Sequence, residues 1–343
     1  MKHTTYAVDI AKNVFEIAVS YEPGIVRESH RVARAKLLEF FAKREKGTVV
    51  MEACSSCHFW GREVEKLGHR AVLLPPHAVR PYVQRNKTDR ADAKGILEAY
   101  RNKEIRPVPV KTVAQHTVTA LHRMRSMWLE ARTSRLNTLR GLLREIGIFI
   151  PVGAKHVVPQ VSELVEDADS DIPNALRAPL HEMCLEIRGL ESRMRQAERE
   201  LEALARQMPV VVRLRDIPGV GLLTATALVA FVGDVQRFRS GRQFANYLGL
   251  TPREHSSGSI RRLGRISKRG DSYIRMLLTH GARSVLWASK RVKAPDRLRA
   301  WALEVQRRRG HNKAAIALAN KLARIAWVVW KRDVEFVSQP EAA

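Results

Sequence analysis

The sequence predicts an α/β N-terminal domain with a mixed sheet, followed by a long helical coiled-coil segment and a mainly α-helical C-terminal domain. Three observations carry this. Strand-like and helix-like segments alternate over the first third of the 343 residues. A helical pattern without proline then runs from residue 113 to 146. Basic residues finally crowd into 251–332, where 21 Lys and Arg stand against 4 Asp and Glu.

The elements follow in order. Residues 4–10 read as a strand, 14–20 as a second after a tight turn at Lys12 and Asn13, and 25–32 as a third. Residues 35–46 have helical spacing, with Leu37, Leu38, Phe40 and Phe41 apolar. Strands are expected at 48–52 and 70–74, and helices at 58–67 and 88–101, the latter capped by Thr88. Three strands followed by alternating helix and strand give a mixed sheet covered by helices. Beyond 113, Pro151 and Pro159 interrupt the helical pattern, and 173–208 forms a second long helix. Its apolar stripe is Leu185, Ile187, Leu190, Met194, Leu201 and Leu204. Two long helices with modest stripes make a helical hairpin or coiled coil. The expected organisation is a catalytic domain at 1–112, a linker and oligomerisation segment at 113–208, and a basic domain at 209–343.

Composition bounds the function. Hydrophobic residues at 45% exclude a disordered chain. A formal net charge of +25 points to a polyanionic partner, nucleic acid first and an anionic membrane surface second. No signal-peptide pattern and no bilayer-length apolar run is present, so a cytosolic, soluble protein is expected. The three cysteines, Cys54, Cys57 and Cys184, do not make a disulfide framework.

Four carboxylates form the candidate metal centre. Asp9 lies in an apolar strand, where an unpaired buried carboxylate costs several kcal/mol by rough estimate. Glu52 ends a second apolar strand, and Asp89 and Asp92 share one face at the start of a helix. Singly these are ordinary groups. If strands and helix converge, the four repel one another unless divalent cations intervene, and two Mg²⁺ ions roughly 4 Å apart would flank a scissile phosphate.

The basic end carries two further motifs. Residues 214–232 read as a helix-hairpin-helix, with Gly219 and Gly221 allowing backbone amides to approach a phosphate. The stretch 244–258 (FANYLGLTPREHSSG) leads into 261–271 (RRLGRISKRGD). Its serines lie among Arg253, Arg261, Arg262, Arg265, Lys268 and Arg269, a setting able to hold a phosphate and stabilise its transition state.

The segments 7–15 (AVDIAKNVF), 51–54 (MEAC) and 86–94 (NKTDRADAK) resemble the DEDD-type insertion-sequence transposases, the family of bridge-RNA-guided recombinases. The resemblance extends over nearly the whole chain, though the helical middle is generic. It implies an RNase-H-like, RuvC-like N-terminal domain whose metal ligands match Asp9, Glu52, Asp89 and Asp92. It also implies a serine nucleophile that links covalently to DNA. The matching position is Ser257, with Ser256 displaced by one. DNA, a guide RNA transcribed from the element and further copies of the chain are the implied partners. Since acids and serine lie far apart in sequence, a composite active site, within or across protomers, is expected. Two other functions are weighed against this one: a RuvC-like nuclease using water, and a non-enzymatic nucleic-acid-binding protein.

Residues 54–58 (CSSCH) spell a haem-attachment pattern, which an expected cytosolic location argues against. They are expected to shape the loop beside Glu52, with His58 packed or solvated. Residues 312–331 carry a core stripe, and Trp327 and Trp330 are candidates for base stacking, at least one of them being expected in the core.

Overall fold

A computed structural model describes residues 4–83 and 88–338, apart from the side chain of Asp89. The chain forms two compact units, Met1–His116 and Thr117–Ala343. In the first, β1 (Thr5–Asp9), β2 (Val14–Ser20) and β3 (Glu28–Ala33) form an antiparallel meander. α1 (Leu37–Ala42) leads to β4 (Thr48–Glu52), and α2 (Cys57–Lys66) leads to β5 (Arg70–Leu74). β4 pairs parallel with β1, and β5 with β4, so the mixed sheet has the order β3-β2-β1-β4-β5. α3 (Pro76–Val79) and α4 (Asp89–Arg101) follow.

Strand periodicity sorts the faces. Tyr6, Val8, Phe15, Ile17, Val49 and Met51 enter a core with Phe41, Trp60 and Val64. Ala7, Ala18, Val50, Val72 and Leu74 face the other way, against Ala93, Ile96 and Leu97 of α4. Each large side chain so buried contributes roughly 1.5–3 kcal/mol. β3 begins later than its composition predicts. The ladder with β2 opens only at Val19 and Glu28, and Glu22 to Ile25 are spent on a turn that leaves Ile25 exposed.

α5 (Val113–Glu145) runs into the second unit. Pro159 does not break the chain there; it occupies the first turn of α6 (Val157–Glu166), where its missing N–H is not needed. α7 (Asn174–Arg206) lies antiparallel to α5: Arg125, Arg132 and Arg135 meet Glu198, Glu191 and Glu186 in turn. Leu185 falls outside the core stripe at 43% exposure. The buried side of α7 is Leu180, Cys184, Ile187, Leu190, Ala197, Leu201 and Ala205, a spacing of three, four and seven residues.

α8 (Pro209–Arg215), α9 (Leu222–Val232) and α10 (Gly241–Tyr247) precede a hairpin of β6 (Pro252–Glu254) and β7 (Leu263–Ile266). The helical reading of this region did not include that hairpin. α11 (Ser272–Ser289), α12 (Arg297–Arg309) and α13 (His311–Arg332) complete the unit. α9 is buried on nearly every residue and shares one core with the surrounding helices, as a helix apolar all round must. Among the described residues no helix is long and apolar enough to cross a membrane.

Two consequences for stability follow. A Cβ on Gly281 of α11 would stand 1.9 Å from the Gly219 carbonyl oxygen, which is backbone and cannot yield cheaply. Gly281→Ala is expected to destabilise by about 2–3 kcal/mol and to lower the melting temperature by about 5–10 °C. A thermal melt checks this.

His122 of α5 is fully buried, with Nδ1 2.9 Å from the Tyr273 hydroxyl and Nε2 2.9 Å from the Thr226 hydroxyl. Thr226 donates to the Leu222 carbonyl, so it accepts from Nε2–H, and Nδ1 accepts from Tyr273. Burial, with Arg125 adding to it, lowers the imidazole pKa to about 4. The unfolded chain therefore takes up this proton first as pH falls. The resulting stability is complete above about pH 6.5 and is lost between there and about pH 4, by roughly 3 kcal/mol. Denaturation midpoints of the wild type and His122→Gln should converge over that window. Parallel pH slopes would refute it.

Candidate functional site

Asp9 and Glu52 end β1 and β4, neighbouring parallel strands at the centre of the sheet. The register pairs Val8 with Met51, so the two carboxylate residues finish their strands at one level. Alternation places Asp9 on the face of Ala7 and Glu52 on the face of Val50, the face that α4 covers. Both are half-buried. Their fields meet at Cys54: burial raises its thiol pKa first, and Glu52 and then Asp9 raise it further.

α4 brings the remaining acids. The Thr88 hydroxyl accepts the Ala91 N–H at 3.2 Å and fixes the first turn, as the capping pattern predicts. Asp92 lies on the side of α4 that carries the buried Ile96 and Ala99. Asp89 opens the helix, and its side chain lies outside the described residues. Among the described residues no three His, Cys, Asp or Glu side chains are grouped to hold a metal. The fold thus brings Asp9 and Glu52 together and sets Asp92 toward the same side of the sheet. The donors are carboxylate oxygens, with no thiolate among them at neutral pH, which suits a hard divalent cation.

Sequence reasoning missed Glu16. It stands directly across β2 from Asp9 and so points to the same face. Its carboxylate lies 3.5 Å from Arg31 Nε on β3. Glu16, Asp9 and Glu52 therefore line three adjacent strands with like charge, and Arg31 supplies one compensating cation. The available signal was Glu16 as the one charged residue in the otherwise uncharged strand 14–20.

In the haem-like motif Cys54 is exposed but Cys57 is closed to ligands. Cys57 is 1% exposed, and burial is the main cause that raises its thiol pKa to about 11. His58 Nδ1 accepts the Lys111 N–H at 3.2 Å, a packing role.

In the second unit, Gly219 serves packing: its φ of +81° and its contact with Gly281 demand glycine. Gly221 is exposed, has open space where a Cβ would be, and stands at the N-terminus of α9 without a side-chain cap. Of the two glycines proposed for phosphate contact, Gly221 is the more exposed.

Ser257 lies at the tip of the β6–β7 hairpin. Its N–H donates to the Ile260 carbonyl at 3.2 Å, and the return bond is 3.1 Å. Gly258, at φ +57°, is the first central residue of this two-residue turn. Ser256 and Ser257 are both exposed. The Ser256 hydroxyl donates to Glu254 Oε1 at 2.8 Å and accepts the Arg262 N–H at 3.2 Å. It is engaged in holding the hairpin, whereas among the described residues no hydrogen bond engages the Ser257 hydroxyl.

Arg253 donates to the Ser267 carbonyl, and Arg261 lies 3.3 Å from Glu254. Arg262, Arg265, Lys268 and Arg269 are exposed without an ion pair among the described residues. The hairpin base is locked by backbone: a Cβ on Gly249 would meet the Arg269 oxygen at 2.1 Å, and one on Gly270 the Tyr247 oxygen at 2.0 Å. The tip thus rides on a fixed base. Glu254 was also missed, although Gly258-Ser259 between short runs is a hairpin signature that pairs it across from Leu263.

A transposase family of the DEDD type matches residues 6–148, and the family described as Transposase IS116/IS110/IS902 matches 211–297. Three relatives extend the comparison. A "Probable family 20 transposase" of Pseudomonas aeruginosa is 39% identical over 343 residues, covering 97% of this chain and 98% of its own. The transposase for insertion sequence element IS1111A of Coxiella burnetii is 38% identical, covering 95% of this chain and 89% of its own. The transposase for insertion sequence element IS1328 of Yersinia enterocolitica is 34% identical, covering 97% and 98%. One matched segment holds Asp9, Glu52, Asp89 and Asp92, and the other holds Gly219, Gly221 and Ser257 with its arginines.

Proposed function

Because the chain belongs to the IS116/IS110/IS902 transposase family, we propose that it cuts and rejoins DNA with Ser257 as nucleophile and a divalent-metal centre at Asp9, Glu52, Asp89 and Asp92. That it is a DNA transposase follows from the family; the serine and the metal are the proposal. The observation that carries it is the contrast at the hairpin tip, where the Ser256 hydroxyl is tied down and that of Ser257 is not.

Ser257 Oγ attacks a backbone phosphorus. The Oγ–P bond forms as the bond from phosphorus to one sugar oxygen breaks; Oγ gives up its proton, and the departing oxygen takes one up. The phosphodiester energy is kept in the serine–DNA link, so a second strand's hydroxyl can reverse the step and rejoin. Arg262, exposed near the tip and without an ion pair among the described residues, is suited to hold the non-bridging oxygens and the charge that develops on them. When bound, a divalent cation, two Mg²⁺ ions in this reading, would be held by the four acids and would supply positive charge to a scissile phosphate.

An element-encoded guide RNA is a further part of the proposal, supported by the excess of cations in 251–332. That the middle segment, with its antiparallel α5–α7 pair, holds further copies of the chain is part of the same proposal. Trapping with a DNA substrate in Mg²⁺ tests the chemistry: a denaturant-resistant protein–DNA adduct is expected. Strand cleavage with no adduct would favour water as nucleophile. Sequencing of co-purified nucleic acid tests the RNA.

A further inference from the structure

A cavity of about 1060 Å³ opens between the β6–β7 hairpin and the helices α12 and α13. Arg265 of β7 lines one side, Lys313, Lys321 and Arg324 of α13 the other, and Trp301 of α12 and Ile316 are among its apolar residues. Among the described residues no carboxylate lines it. None of its four cations has an ion pair among the described residues. Three arginines of α5 behave differently: Arg125, Arg132 and Arg135 each meet a glutamate of α7. Crowding of like charge is felt at Lys321: burial, then Arg297 and Arg324, hold its pKa below the ordinary lysine value. Its Nζ rests 4.1 Å from the Trp301 ring centroid.

A ring of uncompensated cations around an aromatic, apolar interior selects its ligand. Phosphate offsets the repulsion. A duplex would meet the rim only, because its base faces are stacked inside. A single strand offers phosphates and base faces together. The volume passes the roughly 300–1,000 Å³ of pockets for one drug-sized ligand, leaving room for more than one nucleotide. The position fits as well. Pro252, which also lines the cavity, is separated from Ser257 by five residues of hairpin, about 17 Å at 3.3 Å per residue. That is about five stacked base steps of a DNA strand.

We infer that this cavity holds single-stranded DNA flanking the phosphate that Ser257 attacks, with phosphates on Arg265, Lys313 and Arg324 and an unstacked base on Trp301. The direction of the strand rests on the Ser257 reading, but the binding test needs no cleavage.

The test uses the full chain carrying Ser257→Ala. A labelled single-stranded DNA of about twelve nucleotides, the duplex of the same sequence and the matching RNA are compared by fluorescence anisotropy. Adding Lys313→Gln and Arg324→Gln should weaken the single strand at least about tenfold and the duplex less than about threefold. The salt dependence for the single strand should fall by about 1.4, or about 0.7 per lost cation. Trp301→Ala should cost about tenfold. Trp301→Phe keeps a ring in the core and should remove part of the tryptophan quenching that the strand causes, which decides the matter if the alanine variant fails to fold. Equal losses for strand and duplex, quenching unchanged in Trp301→Phe, or tighter RNA binding lost in these variants would each overturn the inference. An adduct at Ser257 without this binding pattern removes the cavity alone. The pattern without an adduct removes the serine mechanism alone.

Discussion

Ser257→Ala is expected to abolish the covalent protein–DNA adduct and to lower strand exchange on the order of 10³-fold or more. The loss is large because no neighbouring group can replace an oxygen that forms a bond. Ser256→Ala should behave differently. It removes two hydrogen bonds that pin the hairpin, to Glu254 and to the Arg262 N–H. Each contributes roughly 0.5–1.5 kcal/mol, so positioning suffers and exchange falls about tenfold, with the adduct still formed. Ser257 is exposed on the hairpin tip, so Ser257→Ala should leave the melting temperature unchanged, whereas Ser256→Ala should lower it by a few degrees. Denaturing gel electrophoresis after reaction with labelled DNA reads the adduct directly. An adduct retained by Ser257→Ala and lost by Ser256→Ala would shift the nucleophile by one residue. Full exchange in both variants would end the serine mechanism.

How much of this was legible varies with the physics behind each element. β1 and β4 could be read from short apolar runs bounded by turns, because central strands are buried on both faces, and the edge strand β5 from its apolar second half. α5 could be read from 33 residues without proline. Leu185 was misplaced because a helix with so many charges leaves several apolar phases open, and only the partner helix chooses among them. Pro159 misled because proline is punished inside a helix and tolerated in its first turn, and the start of α6 has no side-chain cap to announce it. The β6–β7 hairpin was hidden by brevity: strands of three and four exposed residues carry no hydrophobic period. Residue types located the acids and the serine. Register was needed to show that Glu16 faces the same way as Asp9, and tertiary packing to show that Gly219 is spent on Gly281.

Asp9→Asn and Glu52→Gln should each reduce Mg²⁺-dependent DNA cleavage on the order of 10³-fold, as expected when several kcal/mol of charge stabilisation is lost. A second readout separates this from a merely structural role. Without metal, Asp9, Glu16 and Glu52 bring like charge to three adjacent strands, with Arg31 beside Glu16. Neutralising Asp9 or Glu52 relieves the repulsion, so the metal-free variants should melt at the same temperature as the wild type or slightly higher. With metal the order reverses. Mg²⁺ at 100 times its dissociation constant would stabilise the wild type by about 2.7 kcal/mol. For a unit the size of Met1–His116 that raises the melting temperature on the order of 10 °C. Asp9→Asn and Glu52→Gln should lose most of that rise. A purely architectural nucleic-acid-binding protein predicts the opposite on both counts: no Mg²⁺-induced rise in the wild type and full activity in the variants. If carboxylate removal lowers metal-free stability by several degrees and leaves the Mg²⁺ response intact, the acids serve the fold and the metal centre lies elsewhere.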